Sequence, residues 1–139
     1  MGGKRVARLG SVGSPAHLFL NEFGSQVWNV FGGPPYQVGS SVVTKKWRDV
    51  DVRMILSDDE WKQWGLGDDP KFPNAKWGTL CMAFSLLGKH MTGLPIDFQI
   101  QQQTDANTRH KGPRNALGCI ELRDACKRCL SRRKKERVK

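Results

Sequence analysis

The sequence predicts a single domain of the α/β (α+β) class. Segment 49–56 alternates polar and apolar residues before it turns apolar, and segment 94–101 alternates strictly, so both are predicted strands. Apolar residues at helical spacing precede and separate them. At 139 residues with 38% hydrophobic and 26% charged residues, the chain has the size and composition of one globular domain. A disordered, collagen-like or membrane-spanning chain is excluded.

The first half is predicted to hold one long helix and one strand. Ser14 followed by Pro15 is a typical helix start, and the Gly-Gly-Pro-Pro run from residue 32 ends the helix, which gives a helix over about 15–31. A short apolar stretch at 36–38 leads into a Gly-Ser-Ser turn and a polar, basic stretch. The predicted strand 49–56 follows and enters the core.

The second half is predicted to alternate helices with the second strand. A capping-box pattern predicts a helix over 57–64, and apolar residues over about 77–91 predict a helix that is buried on most sides. The strand at 94–101 has the clearest pattern in the sequence. A polar loop over 102–112 and a last helix from about Leu117 complete the prediction.

The net charge of +10 lies entirely in the two ends of the chain. Residues 1–10 carry +3 and residues 127–139 carry +7, so the segment between them is neutral. We therefore predict a flexible basic arm at 1–13, a folded domain at 14–126 and a basic C-terminal tail at 127–139. The tail can contact nucleic acid through salt-sensitive bonds to phosphates, or it can be a solvated helix end.

The sequence lacks signals for membrane insertion or secretion. The charged N-terminus is not followed by an apolar segment, and the longest apolar stretch, 80–87, is too short to span a bilayer. Four cysteines are too few for a disulfide scaffold in a chain of this length, so reduced thiols and a soluble, cytoplasmic protein are expected.

Three cysteines lie at helical spacing near the C-terminus. Cys119, Cys126 and Cys129 with His110 are an alternative zinc set, but three thiols on one helix face make a poor tetrahedral cage. The favoured interpretation is that they are buried thiols, which pack the last helix against the core.

Three carboxylates lie on the polar faces of the two predicted strands. Asp49 and Asp51 leave the same face of the first strand, with Cα atoms roughly 6.6 Å apart. Asp97 lies on the polar face of the second strand and joins them if the strands are neighbours. Acids this close repel one another unless a cation compensates, and oxygen ligands on rigid strands suit Mg²⁺. The alternative is a solvated strand edge whose acids pair with Arg48 or Arg53.

The turn just ahead of the acids is a candidate phosphate site. Gly39 lets the backbone approach a ligand closely, and the N–H groups and hydroxyls of Ser40 and Ser41 can cradle phosphate oxygens. Lys45 and Arg48 precede the acids and can neutralise the charge of a triphosphate, although a solvated loop is an equal alternative.

Basic and amide residues lie between the second strand and the predicted last helix. Gln99 shares the polar face of Asp97 and can contact substrate or belong to an ordinary polar sheet face. The segment 109–115, with Arg114 and Asn115, can bind a nucleotide or an acceptor; alternatively Asn115 caps the last helix.

In this order, the motifs resemble the signature of the DNA polymerase β-like nucleotidyltransferase superfamily. The matching runs are Val38-Gly39-Ser40, Asp49-Val50-Asp51-Val52 and Ile96-Asp97-Phe98. The resemblance covers about residues 14–101, and it is strongest to small stand-alone nucleotidyltransferase-like proteins of bacteria and their phages. It implies a nucleotidyltransferase fold, a short mixed β-sheet backed by helices.

The resemblance also implies an activity. Asp49, Asp51 and Asp97 would bind two Mg²⁺ ions, which Mn²⁺ can replace, and the turn at Gly39 would hold the triphosphate of an NTP such as ATP. A nucleoside monophosphate would pass to a hydroxyl with release of pyrophosphate. The acceptor stays open between RNA such as tRNA, a protein and a small molecule. The alternative is a protein of the same fold that lacks catalysis and holds nucleic acid or a protein partner through its basic tails.

Overall fold

The computed structural model describes residues 12–119, which contain five helices and four strands. The predicted C-terminal tail and most of the predicted N-terminal arm lie outside this range. The helices are α1 (Ala16–Phe31), α2 (Ser40–Val43), α3 (Asp58–Trp64), α4 (Ala75–Thr92) and α5 (Gln103–Arg109). The strands are β1 (Tyr36–Val38), β2 (Val50–Leu56), β3 (Ile96–Gln102) and β4 (Asn115–Ala116).

The four strands form one mixed sheet in the order β3-β2-β1-β4. Strands β2 and β3 are parallel, whereas β1 runs antiparallel to both β2 and β4. A parallel pair needs a crossover connection, and α3 and α4 supply it between β2 and β3. The predicted α/β class is therefore confirmed, as a four-stranded mixed sheet with helices.

One face of the sheet is buried against α1 and α4. Val52 and Phe98 are register partners on β2 and β3 and are almost completely buried. The ring of Phe98 packs edge-on against Phe23 of α1, with ring centroids 6.2 Å apart. It also packs at a tilt against Phe84 of α4, with ring centroids 5.0 Å apart. Because successive strand residues point to opposite faces, burial of this set leaves the intervening residues, Asp51 among them, on the opposite, half-open face.

The predicted helices α1, α3 and α4 are confirmed, with ends that differ by two residues or fewer from the predictions. The expectation that α4 is buried on most sides is wrong: only Cys81 and Gly88 are buried, and Met82 and Leu86 are more than 60% exposed. Its apolar side chains therefore do not all face the sheet.

The capping box at α3 is complete: the Ser57 hydroxyl accepts a hydrogen bond from the Glu60 N–H, and the Glu60 carboxylate accepts one from the Ser57 N–H, both at 3.2 Å. The predicted strands are confirmed as β2 and β3.

The predicted loop over 102–112 is wrong, because most of it forms α5. This helix has no apolar stripe that would reveal it, since only Ala106 is buried. Polar contacts hold it instead. The Thr104 hydroxyl donates to Asp58 of α3 at 2.6 Å, and Arg109 pairs with Asp105 one turn away at 2.8 Å.

The predicted start of a last helix near Leu117 is also wrong. Residues Asn115–Ala116 form the edge strand β4, and Leu117 is buried against α1. Gly24 of α1 makes this approach feasible, because a Cβ there would lie 2.5 Å from the Cβ of Leu117. The rest of the predicted helix lies outside the described residues.

At the other end of the described range, Val12 is buried in the core, ahead of the predicted start of the domain at residue 14. Among the helices within 12–119, none combines the length and the apolar character needed to cross a bilayer.

Candidate active site

Asp51 and Asp97 are register partners on the parallel strands β2 and β3. Both side chains project from the half-open face, because their strand neighbours are buried on the other face. Of the two acids on the first strand that were predicted to lie close to Asp97, Asp51 does so. Asp49 lies one residue before β2 and is exposed.

Arg53 is the cation that these two acids share. Its Nη2 lies 3.3 Å from Oδ2 of Asp97 and 3.9 Å from Oδ1 of Asp51, and its Nη1 donates to the Asp97 carbonyl oxygen at 2.6 Å. The Arg53 side chain is only 13% exposed, so it is an integral part of the site in this structure. From the sequence, Arg53 was expected only as a partner for acids on a solvated edge. Its spacing of two residues from Asp51 was the signal that it shares their face.

Burial raises the pKa of the Asp51 carboxyl above its ordinary value of 3.8. The Arg53 guanidinium opposes this shift, whereas the negative charges of Asp97 and Asp49 reinforce it. Despite Arg53, the pKa of Asp51 stays raised. Burial thus disfavours the ionised form of this carboxylate, and an additional cation would stabilise it.

Gly39 follows β1 and lies against the Asp51 carboxylate. Its backbone has φ 74° and ψ −156°, a conformation that is essentially restricted to glycine. A Cβ at this position would lie 2.5 Å from Oδ2 of Asp51. The structure therefore brings the predicted phosphate turn and one predicted acid into direct contact.

The two serines of the turn have different surroundings. Ser40 is exposed beside Gly39. Ser41 is completely buried, and both its hydroxyl and its carbonyl oxygen accept hydrogen bonds from Nε2 of Gln37, at 2.9 and 3.1 Å. The Asn115 side chain of β4 completes this network by donating to Oε1 of Gln37 at 3.3 Å. The Ser41 hydroxyl therefore ties the turn to β1.

The predicted basic residues of the preceding loop are not brought into the site. Lys45 and Arg48 are exposed, and neither lines the cleft described below. Of the predicted nucleotide-binding set, Gly39 alone lines that cleft, with Ser40 next to it in the chain.

A cleft of about 290 Å³ lies over the half-open face of the sheet. Gly39, Asp51 and Arg53 line one part of it, and Gln99 and Gln101 of β3 line another. A wall is contributed by the segment that joins α5 to β4. The residues of this wall are His110, Gly112, Pro113 and Arg114.

Some of these lining residues were not foreseen. Gln99 and Arg114 were open as substrate residues from the sequence. Gln101 was not identified as one, and His110 was named individually only as a member of the alternative zinc set. The reason is that only the fold brings residues 110–114 back over β1.

The carboxylate oxygens of the site are the type of ligand that Mg²⁺ prefers, but among the described residues their arrangement does not form a metal site. The acids offer oxygen ligands only, and the pKa of Asp51 is raised, mainly by burial and also by the neighbouring acids. Within residues 12–119, however, no three side chains of His, Cys, Asp or Glu converge closely enough to hold a metal ion. Arg53 takes the place beside Asp51 and Asp97 where a cation is needed. Two of the three predicted ligands are thus together, and the exposed Asp49 is not with them.

The described thiols do not add a second site. Cys81 is buried in the core, where burial raises the pKa of its thiol, and Cys119 is exposed. Buried thiols were expected for the last helix, and Cys119 differs from that expectation. Cys126 and Cys129, the other members of the alternative zinc set, lie outside the described residues.

No protein family model matches the chain, and no curated protein or solved structure matches it either. The resemblance to nucleotidyltransferases therefore depends on the sequence motifs alone.

Proposed function

We propose that this protein is a Mg²⁺-dependent nucleotidyltransferase with a nucleotidyltransferase fold. It would transfer a nucleoside monophosphate from an NTP to a hydroxyl acceptor and release pyrophosphate. The observation that carries the proposal is the triple juxtaposition of Asp97 beside Asp51 in register and of Gly39 against the Asp51 carboxylate. These motifs are separated by up to 58 residues in the sequence, yet Gly39 and Asp51 line the cleft together and Asp97 lies beside Asp51 on the next strand.

This juxtaposition is what the chemistry of phosphate transfer needs. A glycine turn lets backbone groups approach phosphate oxygens, and it does so next to carboxylates that can hold the metal bound to those same phosphates. Positive-φ glycines also occur at ordinary turns and helix ends, but among the described glycines Gly39 is the one at which a Cβ would meet a carboxylate. The contact between Gly39 and Asp51 therefore supports a site for metal-bound phosphate.

The acids of the site would hold the metal. Asp51 and Asp97 are in place, and Asp49 is exposed and two residues away from Asp51, so its side chain can turn toward them. Arg53 would give up its place between the acids as metal enters. When bound, two Mg²⁺ ions supply charge stabilisation for the attacking and leaving oxygens.

The chain's own residues would position the reactants. The Gly39 turn and Ser40 bind the triphosphate, and a carboxylate oxygen of Asp97 accepts the proton of the acceptor hydroxyl. The hydroxyl oxygen then forms a bond to the α-phosphorus as the bond from that phosphorus to the β-phosphate oxygen breaks. Pyrophosphate leaves with the electron pair of the broken bond.

A second function is favoured by one observation, the ion pairs of Arg53. A residue that neutralises both acids is also what a protein of this fold would contain if it had lost catalysis. Such a protein would hold nucleic acid or a protein partner through its basic ends. The two functions differ in whether the cleft binds a metal-bound triphosphate.

Thermal unfolding with each of the four NTPs, with and without Mg²⁺, separates the two functions. A ligand that binds only the folded state stabilises it, by about 2.7 kcal/mol at a free concentration 100-fold above Kd. We expect at least one NTP to raise the melting temperature only when Mg²⁺ is present. Asp51→Asn should remove the shift, and Asp68→Asn, which changes an exposed acid outside the cleft, should retain it. Absence of a shift with every NTP would favour the binding protein.

A further inference from the structure

Arg114 immediately precedes β4, on the continuation of the row of the sheet that contains the two acids. Strand β4 pairs with β1 so that Ala116 faces Tyr36 and Asn115 faces Gln37. Continuing this register by one residue sets position 114 opposite Val38, which is itself the partner of Asp51. The row across the sheet is therefore Asp97, Asp51, Val38 and Arg114.

The spacing of this row fits a ligand that lies across it. Neighbouring strands are about 4.8 Å apart, so the Cα atoms of Asp51 and Arg114 are separated by about 10 Å, with Val38 between them. Both Asp51 and Arg114 line the cleft, as do Val38 and Gly39. The glycine turn thus lies between a pair of acids on one side and a cation on the other.

Arg114 holds a positive charge that has no acidic partner within residues 12–119. Its Nη1 donates to Oδ1 of Asn107 at 2.9 Å, and its Nη2 donates to the carbonyl oxygen of His110 at 3.3 Å. Both acceptors are neutral, so they orient the guanidinium without cancelling its charge. The contrast is with Arg53, which pairs with two acids, and with Arg109, which pairs with Asp105.

An oriented, unneutralised guanidinium beside a phosphate turn suits an anionic ligand group. Guanidinium groups bind phosphate through two parallel N–H bonds, and charge-assisted bonds of this kind are about twice as strong as neutral ones. The α-phosphate of a bound NTP must lie at the acids for transfer to occur. The phosphates that can extend past Gly39 toward Arg114 are then the β- and γ-phosphates.

We infer that Arg114 binds the β,γ-phosphate part of the nucleotide, which is the part released as pyrophosphate. The inference rests on the proposed function and adds to it the residue that recognises the leaving group. Asn107 is a positioning residue, because it touches the guanidinium and not the cleft.

Calorimetric titration of the full chain with inorganic tripolyphosphate tests this binding without any base or sugar. The expected result is that the wild type binds tripolyphosphate, that Arg114→Gln weakens binding at least 10-fold, and that Arg114→Lys weakens it less. Arg109→Gln is the matched control, since Arg109 is an exposed arginine nearby that does not line the cleft. It should bind within twofold of the wild type.

A comparison of single and double variants tests the role of Asn107. Asn107→Ala alone should weaken tripolyphosphate binding, whereas Asn107→Ala added to Arg114→Gln should weaken it no further, because residues that act through one another are not additive. Additive losses would show that Asn107 acts independently of Arg114 and would overturn its role as a positioning residue.

The inference about Arg114 is overturned if folded Arg114→Gln binds tripolyphosphate as well as the wild type, or if the wild type binds NTPs but not tripolyphosphate. It is also overturned if Arg114→Gln lowers affinity for RNA while leaving tripolyphosphate binding intact, which would assign Arg114 to the acceptor. Failure of the proposed function looks different: the wild type then binds no NTP in the presence of Mg²⁺ and labels no acceptor.

Discussion

Gly39 and Asp51 touch across the β1–β2 pair, at the point where a Cβ on Gly39 would lie 2.5 Å from Oδ2 of Asp51. The contact joins the end of one strand to a half-buried acid on the next. It depends on two properties of glycine, the missing side chain and the freedom to adopt a φ of 74°. The site is therefore sensitive to a single methyl group.

Gly39→Ala is expected to destabilise the fold and to impair binding of a metal-bound nucleotide. A non-glycine residue in this backbone region costs on the order of 1–3 kcal/mol, and the new methyl group also displaces the Asp51 carboxylate. Urea unfolding measures the loss of stability. Gly33→Ala is the control, because a Cβ at Gly33 would enter open space, with nothing but its chain neighbours within 4 Å, and its φ is not positive. Equal stability of the two variants would contradict the account of Gly39.

Asp51→Asn is expected to raise the melting temperature at pH 7 when EDTA removes divalent cations. The pKa of Asp51 is raised in the folded protein, mainly by burial, so the native state keeps a proton that the unfolded chain loses near pH 3.8. The contribution of this group to stability therefore falls as the pH rises from 3.8 through the raised pKa, and it stays unfavourable at neutral pH.

The difference between Asp51→Asn and the wild type should shrink as the pH falls toward about 3, where the carboxyl is protonated in both states. Differential scanning calorimetry at several pH values measures it. Asp68→Asn should show no such pH-dependent gain. If Asp51→Asn is less stable than the wild type at pH 7, the conclusion that the ionised Asp51 carboxylate destabilises the fold is contradicted.

Ser40→Ala and Ser41→Ala are expected to have different effects although they are neighbours. The Ser41 hydroxyl is buried on Gln37, so its removal should cost about 1 kcal/mol of stability and leave nucleotide affinity almost unchanged. The exposed Ser40 should show the reverse pattern. Chemical denaturation and NTP titration of both variants provide the two measurements, and interchanged results would show that the turn is oriented differently.

Arg53→Met is expected to make the metal-free protein less stable and its response to Mg²⁺ larger. The substitution leaves Asp51 and Asp97 without their shared cation, which should cost up to about 1 kcal/mol because solvent reaches both carboxylates. Mg²⁺ should then compensate more strongly than it does in the wild type. Melting temperature against Mg²⁺ concentration tests this. Arg53→Lys keeps the charge, so its Mg²⁺ response should lie between those of the wild type and Arg53→Met. An equal Mg²⁺ response in all three proteins would contradict the idea that Arg53 competes with the metal.

Periodicity predicted the elements that bury an apolar face. Strands β2 and β3 and helices α1 and α4 each place apolar residues at the interval that their geometry requires, so their positions were readable. The capping box at Ser57 fixed the start of α3 in the same way. Helix α5 has no such face, and its contacts to Asp58 join residues 46 apart in the sequence, which no local pattern reveals.

Only the part of the candidate site that follows from strand alternation could be predicted from the sequence. Alternation assigned Asp51 and Asp97 to polar faces, and pairing of the two strands then brought them together. The role of Ser41 depends on a buried hydrogen bond from Gln37, four residues away, which no periodicity reveals. The role of Arg114 depends on the pairing of β4 with β1, which brings the residue before β4 next to the row of acids. Asp49 fits the motif but lies before the strand begins, where the alternation that placed it beside Asp51 no longer applies.

Nucleotide transfer itself is the most direct test of the proposed function. The purified protein is incubated with Mg²⁺, α-labelled NTPs and a mixture of cellular RNA and protein, and the label is followed into the macromolecules. We predict that the wild type and Asp68→Asn label an acceptor, while folded Asp51→Asn and Asp97→Asn label none. Labelling retained by both Asp51→Asn and Asp97→Asn would contradict the assignment of these acids to catalysis.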